Sequence, residues 1–239
     1  MADPTYHFIT IVTFGRSGST ALQSALNAHP QTLIRGENYN AFTGLWNYYT
    51  SIVDSASRHH AGQPDHPWFG TARLKPNTVR TELHDSVVNT LLRPRRDTQW
   101  LGFKEVRYES AYFTDPVFMA SYLLFLQELL PGLSFLFNTR SAEQAARSGW
   151  WIEHPDAQST LERTENTMRS TASLLSELLG EDRVQLIDYD QWNSDSSLLT
   201  QALERLGFPV DPSLIGSALS TVLTHGQHTG NGSWAGEQK

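Results

Sequence analysis

Two short groups of residues in this chain carry the side chains that grip anions. The first is GRSGST, residues 15–20. Backbone N–H groups in a glycine-containing turn that opens a helix form an anion site, because they lack internal partners and carry the positive end of the helix dipole. Ser19 and Thr20 would add hydroxyl donors there, and Arg16 a cation. The same residues also fit an ordinary strand-turn-helix whose Ser or Thr is an N-cap. The second group is Arg140 and Ser148, eight residues apart, with Arg140 closing an apolar run. A helix beginning near 141 would carry Ser148 about two turns in, so that both side chains hold a second phosphate. A salt-bridged arginine beside a helix-surface serine is the alternative.

Other chemistries find no foothold. The ATP-binding loop G-x-x-x-x-G-K-[ST] needs lysine after its second glycine, and here Gly18 is followed by Ser19. No G-x-G-x-x-G, HExxH or EF-hand loop is present, so neither a dinucleotide nor a metal is expected. His59, His60 and His66 fall in a polar stretch and read as solvated surface. The chain has no cysteine, which excludes thiolate chemistry and disulfides. A net charge of −7 argues against a nucleic-acid partner. The N-terminus lacks the basic-then-apolar order of a signal peptide, and no apolar run approaches the ~20 residues of a membrane span, so a cytoplasmic protein is expected.

The elements that must position these residues alternate. Strands are expected at 7–14, 31–35, 99–106, 133–140 and 183–190. Helices are expected at 19–28, 41–53, 79–92, 116–130, 141–150, 157–179 and 196–206, with a polar loop at 54–70. Continuous apolar strands separated by helices predict a single α/β domain over 1–239, P-loop-like, with a central parallel sheet of four to five strands covered on both faces. Ligands in such sheets lie beyond the carboxyl ends of the strands. Residues 16–20, Lys104 and 140–148 all follow strands.

At this point the chain resembles the sulfotransferases that use 3′-phosphoadenosine-5′-phosphosulfate. Their phosphosulfate loop, [KR]-S-G-[ST]-T, reads here Arg16-Ser17-Gly18-Ser19-Thr20. Their 3′-phosphate site, a strand-end arginine with a serine eight residues on, reads Arg140 and Ser148, though "RSA" stands where "RDP" is common. "DYDQWNSD" (188–195) and "ERLGFPVDPS" (204–213) resemble later family segments, so the likeness touches 8–37, 99–106, 133–150 and 183–213. The resemblance implies donor binding by Arg16, Ser17, Gly18, Ser19, Thr20, Arg140 and Ser148, and catalysis without a metal.

It also implies a catalytic lysine at Lys104, against the sulfuryl or bridging oxygen, with Arg16 on the 5′-phosphate side. One branch of the family uses a histidine after its lysine, and the stretch here, "FKEVR", has none. The protein-tyrosine and several bacterial carbohydrate or lipid members use a glutamate after "AHP"; here "NAHPQTLIRGEN" makes Glu37 the expected general base, with Glu105 in reserve and Arg107 as an assisting cation. The implied acceptor is a hydroxyl or amine of a small molecule or carbohydrate. Aromatics at 38–49 and Trp150-Trp151 could stack on it or pack in the core. Residues 40–98 read as an acceptor-side insertion, "RPRR" (93–96) as a solvated basic patch, and 225–239 as a flexible C-terminal loop. A P-loop-type small-molecule kinase and an inactive nucleotide-binding protein remain alternatives.

Overall fold

The computed structural model describes residues 6–58 and 63–220. Five strands, β1 (His7–Val12), β2 (Thr32–Arg35), β3 (Trp100–Glu105), β4 (Ser134–Thr139) and β5 (Val184–Asp188), form one sheet in the order β2-β3-β1-β4-β5. Every pairing is parallel, and β1 lies at the centre between β3 and β4. The expected single α/β domain with helices on both faces is the observed one.

Alternation along the strands explains the layers. Ile9 and Ile11 of β1 face one side, where they pack with Leu22 and Leu26 of α1 (Ser19–Asn27) and Leu203 of α8 (Ser196–Arg205). Phe8 and Val12 face the other side, against Phe42 of α2 (Ala41–Arg58), Leu123 of α4 (Pro116–Leu129) and Met168 of α6 (Ala157–Leu179). The same period sends Lys104 of β3 to the α1 side and its neighbour Glu105 to the α2 side. Gly102 is demanded by close approach, since a Cβ there would stand 1.8 Å from the Ile9 carbonyl oxygen. Asp115 caps α4 by accepting from the Val117 and Phe118 N–H groups, with Pro116 in the first turn.

Several boundaries differ from expectation. α2 runs on through Arg58, taking in the start of the expected loop. α3 (Pro76–Ser86) begins earlier than expected and passes into a π-helical stretch, Val87–Leu92. Strand β5 ends at Asp188 because that carboxylate accepts from the Asp190 and Gln191 N–H groups and starts α7 (Tyr189–Ser194), a helix not foreseen. A further unforeseen helix, α9 (Pro212–Ser220), packs on α1. The expected helix at 141–150 is only α5 (Ala142–Ala146), followed by a 3₁₀ turn, Gly149–Glu153. Ser148 therefore sits in extended backbone at φ −130° between the two, not two turns into a helix. His59, His60 and residues 225–239 lie outside the described residues. Among the described residues no helix is long and apolar enough to cross a membrane.

Candidate active site

The carboxyl ends of β1, β3 and β4 open on a pocket of about 340 Å³. Its floor is the N-terminus of α1. Arg16 and Gly18 both adopt left-handed backbone, φ 69° and 76°, which folds the loop back before the helix. Gly18 is required on two counts, its positive φ and the Tyr189 ring, which a Cβ would meet at 2.0 Å. Neither a side-chain cap nor an acidic residue occupies the first turn of α1. Gly18, Ser19 and Thr20 line the pocket at this uncapped end, where the helix dipole favours an anion.

Lys104 and Glu37 meet at one wall. The lysine side chain is only 5% exposed, and its Nζ lies 3.1 Å from Glu37 Oε1. The same ammonium donates to Thr20 Oγ1 at 3.3 Å. Glu37 follows β2 and is 41% exposed, so one carboxylate reaches both the buried lysine and open pocket. Glu105, the reserve base, does not share this wall. Its carboxylate is 1% exposed and accepts from the N–H groups of Asn38, Asn40, Val106 and Arg107, tying β3 to the start of α2.

Arg140 stands on the opposite wall. Its guanidinium donates to the Arg16 carbonyl (2.9 Å) and to Gln144 Oε1 (3.3 Å), lies 3.5 Å from Asp190 Oδ1 and stacks over Tyr189 at 4.9 Å. Arg16 does not point toward Lys104. Its Nε donates to Ser148 Oγ at 2.9 Å, and its side chain crosses Gly149, where a Cβ would meet it at 2.9 Å. Left-handed backbone at Arg16 and the bare Cα of Gly149 permit that course. Arg16, Arg140 and Ser148 thus gather on one side.

Ser17 and Ser148 are outside the pocket lining. The Ser17 side chain is fully buried, with its hydroxyl 2.6 Å from Thr13 Oγ1 inside the loop. Trp150 does line the pocket, packed over Gly15, whereas Trp151 is buried and donates from Nε1 to the Gly15 carbonyl. Arg107 lies over the Tyr39 ring at 4.2 Å, away from the lining. In the 93–96 patch, Arg95 donates to the Thr32 carbonyl, and the Arg93 carbonyl accepts from Arg35, so part of the patch holds the β2 edge. His66 is exposed.

Beside Glu37, the Glu109 carboxyl is pushed up from the usual glutamate range, chiefly by burial and further by the charges of Glu105 and Glu37, against the pull of Arg107. Burial likewise pushes up the Tyr108 and Tyr122 phenols, whose hydroxyls meet near Thr43. Among the described residues no group of three or more His, Asp or Glu side chains gathers as a metal site would require.

Sequence reasoning passed over Asn138, Tyr189 and Asp190. The available signal for Asn138 was a polar residue inside the apolar run "LSFLFNTR", two positions before Arg140.

No family model and no curated protein matches the chain. Solved structures do. The sulfotransferase domain of the olefin synthase of Synechococcus PCC 7002 superposes with a TM-score of 0.54 at 18% identity, over 90% of this chain and 78% of that one. The sulfotransferase domain from the curacin biosynthetic pathway gives 0.51 at 14% identity, over 87% and 76%. At such identities the likeness concerns architecture: this chain has the fold of sulfotransferase domains.

Proposed function

We propose that this protein transfers a sulfuryl group from 3′-phosphoadenosine-5′-phosphosulfate to a hydroxyl or amine of a small-molecule or carbohydrate acceptor. The observation that carries the reading is the Lys104 ammonium held between Glu37 and Thr20 at the uncapped N-terminus of α1. A cation, a helix dipole and a half-open carboxylate converge there on one small volume.

The site fits the donor's charges. The α1 end with Ser19, Thr20 and Lys104 suits one anionic group, and the Arg140, Arg16 and Ser148 cluster suits the second. The donor, when bound, supplies an activated sulfuryl group whose leaving group is a nucleotide diphosphate. Lys104 and the α1 N–H groups neutralise charge growing on the leaving oxygen, a task of positioning and electrostatics as in phosphoryl transfer. Glu37 accepts the proton of the attacking group, worth about 10²–10⁴ in rate for a general base. Residues 40–98 begin directly after Glu37 and supply the acceptor side.

Calorimetry with 3′,5′-diphosphoadenosine, ATP and ADP tests the donor half, and incubation with the phosphosulfate donor and an acceptor panel tests transfer. Tight binding of the diphosphoadenosine over ATP, with an acceptor gaining the mass of SO₃, is expected. Preference for ATP with Mg²⁺-dependent phosphorylation would overturn the proposal.

A further inference from the structure

Three successive carbonyl groups of the anion loop are each held by a side-chain N–H from a different part of the chain. Gly15 O accepts from Trp151 Nε1 (3.2 Å), Arg16 O from an Arg140 terminal nitrogen (2.9 Å), and Ser17 O from Asn138 Nδ2 (2.9 Å). The next carbonyl, Gly18 O, accepts the Ala21 and Leu22 N–H groups of α1. In a planar trans peptide the C=O and the following N–H point in opposite directions. Turning these carbonyls toward their donors therefore turns the N–H groups of Arg16, Ser17 and Gly18 the other way. The carbonyl clamp sets which face of the loop carries donors.

Asn138 has its own orientation fixed. An indole N–H can only donate, and Trp192 Nε1 donates to Asn138 Oδ1 at 2.8 Å, so the amide nitrogen must face the loop. Thr13 gives its hydroxyl proton to the Asn138 carbonyl at 2.7 Å, which leaves Thr13 Oγ1 to accept from Ser17. Thr13, Ser17, Asn138 and Trp192 are all fully buried, so no water competes for these bonds. The clamp acts on a loop with left-handed backbone at Arg16 and Gly18, a conformation a free segment would leave.

We infer that Asn138 and Trp151 are positioning residues for the donor: with Arg140 they hold the 15–18 loop in its anion-binding shape before any ligand arrives. The inference rests on the donor-binding reading above, but the state of the loop is measurable without a ligand. The test uses Asn138→Leu, which keeps the volume and removes the amide, and Trp151→Phe, which keeps an aromatic ring and removes the N–H. Hydrogen exchange of the 15–20 segment, affinity for 3′,5′-diphosphoadenosine by calorimetry, and melting temperature are measured for each.

Exchange of the loop amides should speed up in both free variants. Affinity should fall about 3- to 10-fold per lost bond, with kcat at saturating donor within about twofold of wild type. A merely structural role would lower the melting temperature and leave loop exchange and affinity unchanged in the folded protein. That outcome overturns the inference, and if Asn138→Leu fails to fold, Trp151→Phe decides alone. Wild-type protein that ignores the diphosphoadenosine while the variants still loosen the loop would refute the donor reading and keep the clamp.

Discussion

Along the loop from Gly15 to Ser17 each carbonyl has its donor, and the Ser17 hydroxyl is bonded inside it. Across the pocket, where α2 begins and the chain leaves β3, Asn40 Oδ1, Arg107 Nε and Glu109 Oε2 are buried without a hydrogen-bond partner. Such a group typically costs about 1–3 kcal/mol when left unmade. The loop carbonyls of the half read as donor-binding are thus all met, although Arg140 Nε beside them is also buried without a hydrogen-bond partner. The half read as acceptor-binding keeps the three groups just named. The contrast separates two jobs. On the proposed reading, a polyanion of fixed shape is met by a largely preset cradle, whereas the other half carries more polar groups without partners.

The largest effect expected from the acceptor half is that of Glu37→Gln. It keeps shape and a hydrogen bond toward Lys104 but cannot take a proton, so kcat should fall about 10²–10⁴-fold. Affinity for 3′,5′-diphosphoadenosine should stay within about twofold, since Glu37 is read as facing the acceptor group, and the substituted glutamine keeps a hydrogen bond to Lys104. Near-normal turnover in this variant would move the base elsewhere and break the division of labour.

Arg140→Ala probes the donor half. Loss of a charge-assisted contact should weaken diphosphoadenosine binding by about 1.5–3 kcal/mol, and release of the Arg16 carbonyl adds to it. Adenosine 5′-phosphosulfate, which lacks the 3′-phosphate, should lose a similar amount on wild type. Equal affinity of wild type for both nucleotides, measured by calorimetry, would dissolve the second anion site.

The smallest effect belongs to Glu109→Gln and is read in stability. Folding raises the pKa of this carboxyl, so above the ordinary glutamate range the folded state binds more protons than the unfolded one. Stability contributed by the group is therefore present at low pH and declines as pH climbs through the raised value. Glutamine carries no such term, and the variant should melt higher than wild type at neutral pH, with a flatter profile of Tm against pH. Parallel profiles would mean that Glu109 is not held out of water, and the contrast between the halves would weaken.

Much of the fold was readable because it depends on local patterns. Five apolar strands spaced by helices predicted the parallel sheet, and the central β1 with its following loop was found from residues 7–20 alone. Some of the boundaries that slipped are set by a single side chain or a local change of backbone. Asp188 ends β5 by starting α7, and α5 stops at Ala146 because the chain turns extended at Ser148 before the left-handed Gly149.

Residue types and spacing by themselves gave the glycine-containing turn at 15–20 that opens a helix, marked Arg140 and Ser148 as residues of interest after β4, and showed the absence of an ATP-type lysine after Gly18. These follow from chain-local chemistry: glycine where backbone must turn back, hydroxyls and cations where charge is to be met. Only the tertiary structure decided that Arg16 reaches Ser148, that Lys104 joins Glu37 to Thr20, and that Glu105 is a backbone-bound structural carboxylate. It also decided that Trp151 and Asn138 clamp the loop. Those bonds join residues that are 67 (Lys104 with Glu37), 84, 121, 132 and 136 positions apart. Such partners are brought together by the parallel register of β1, β3 and β4, and no local pattern encodes which side chain meets which across neighbouring strands.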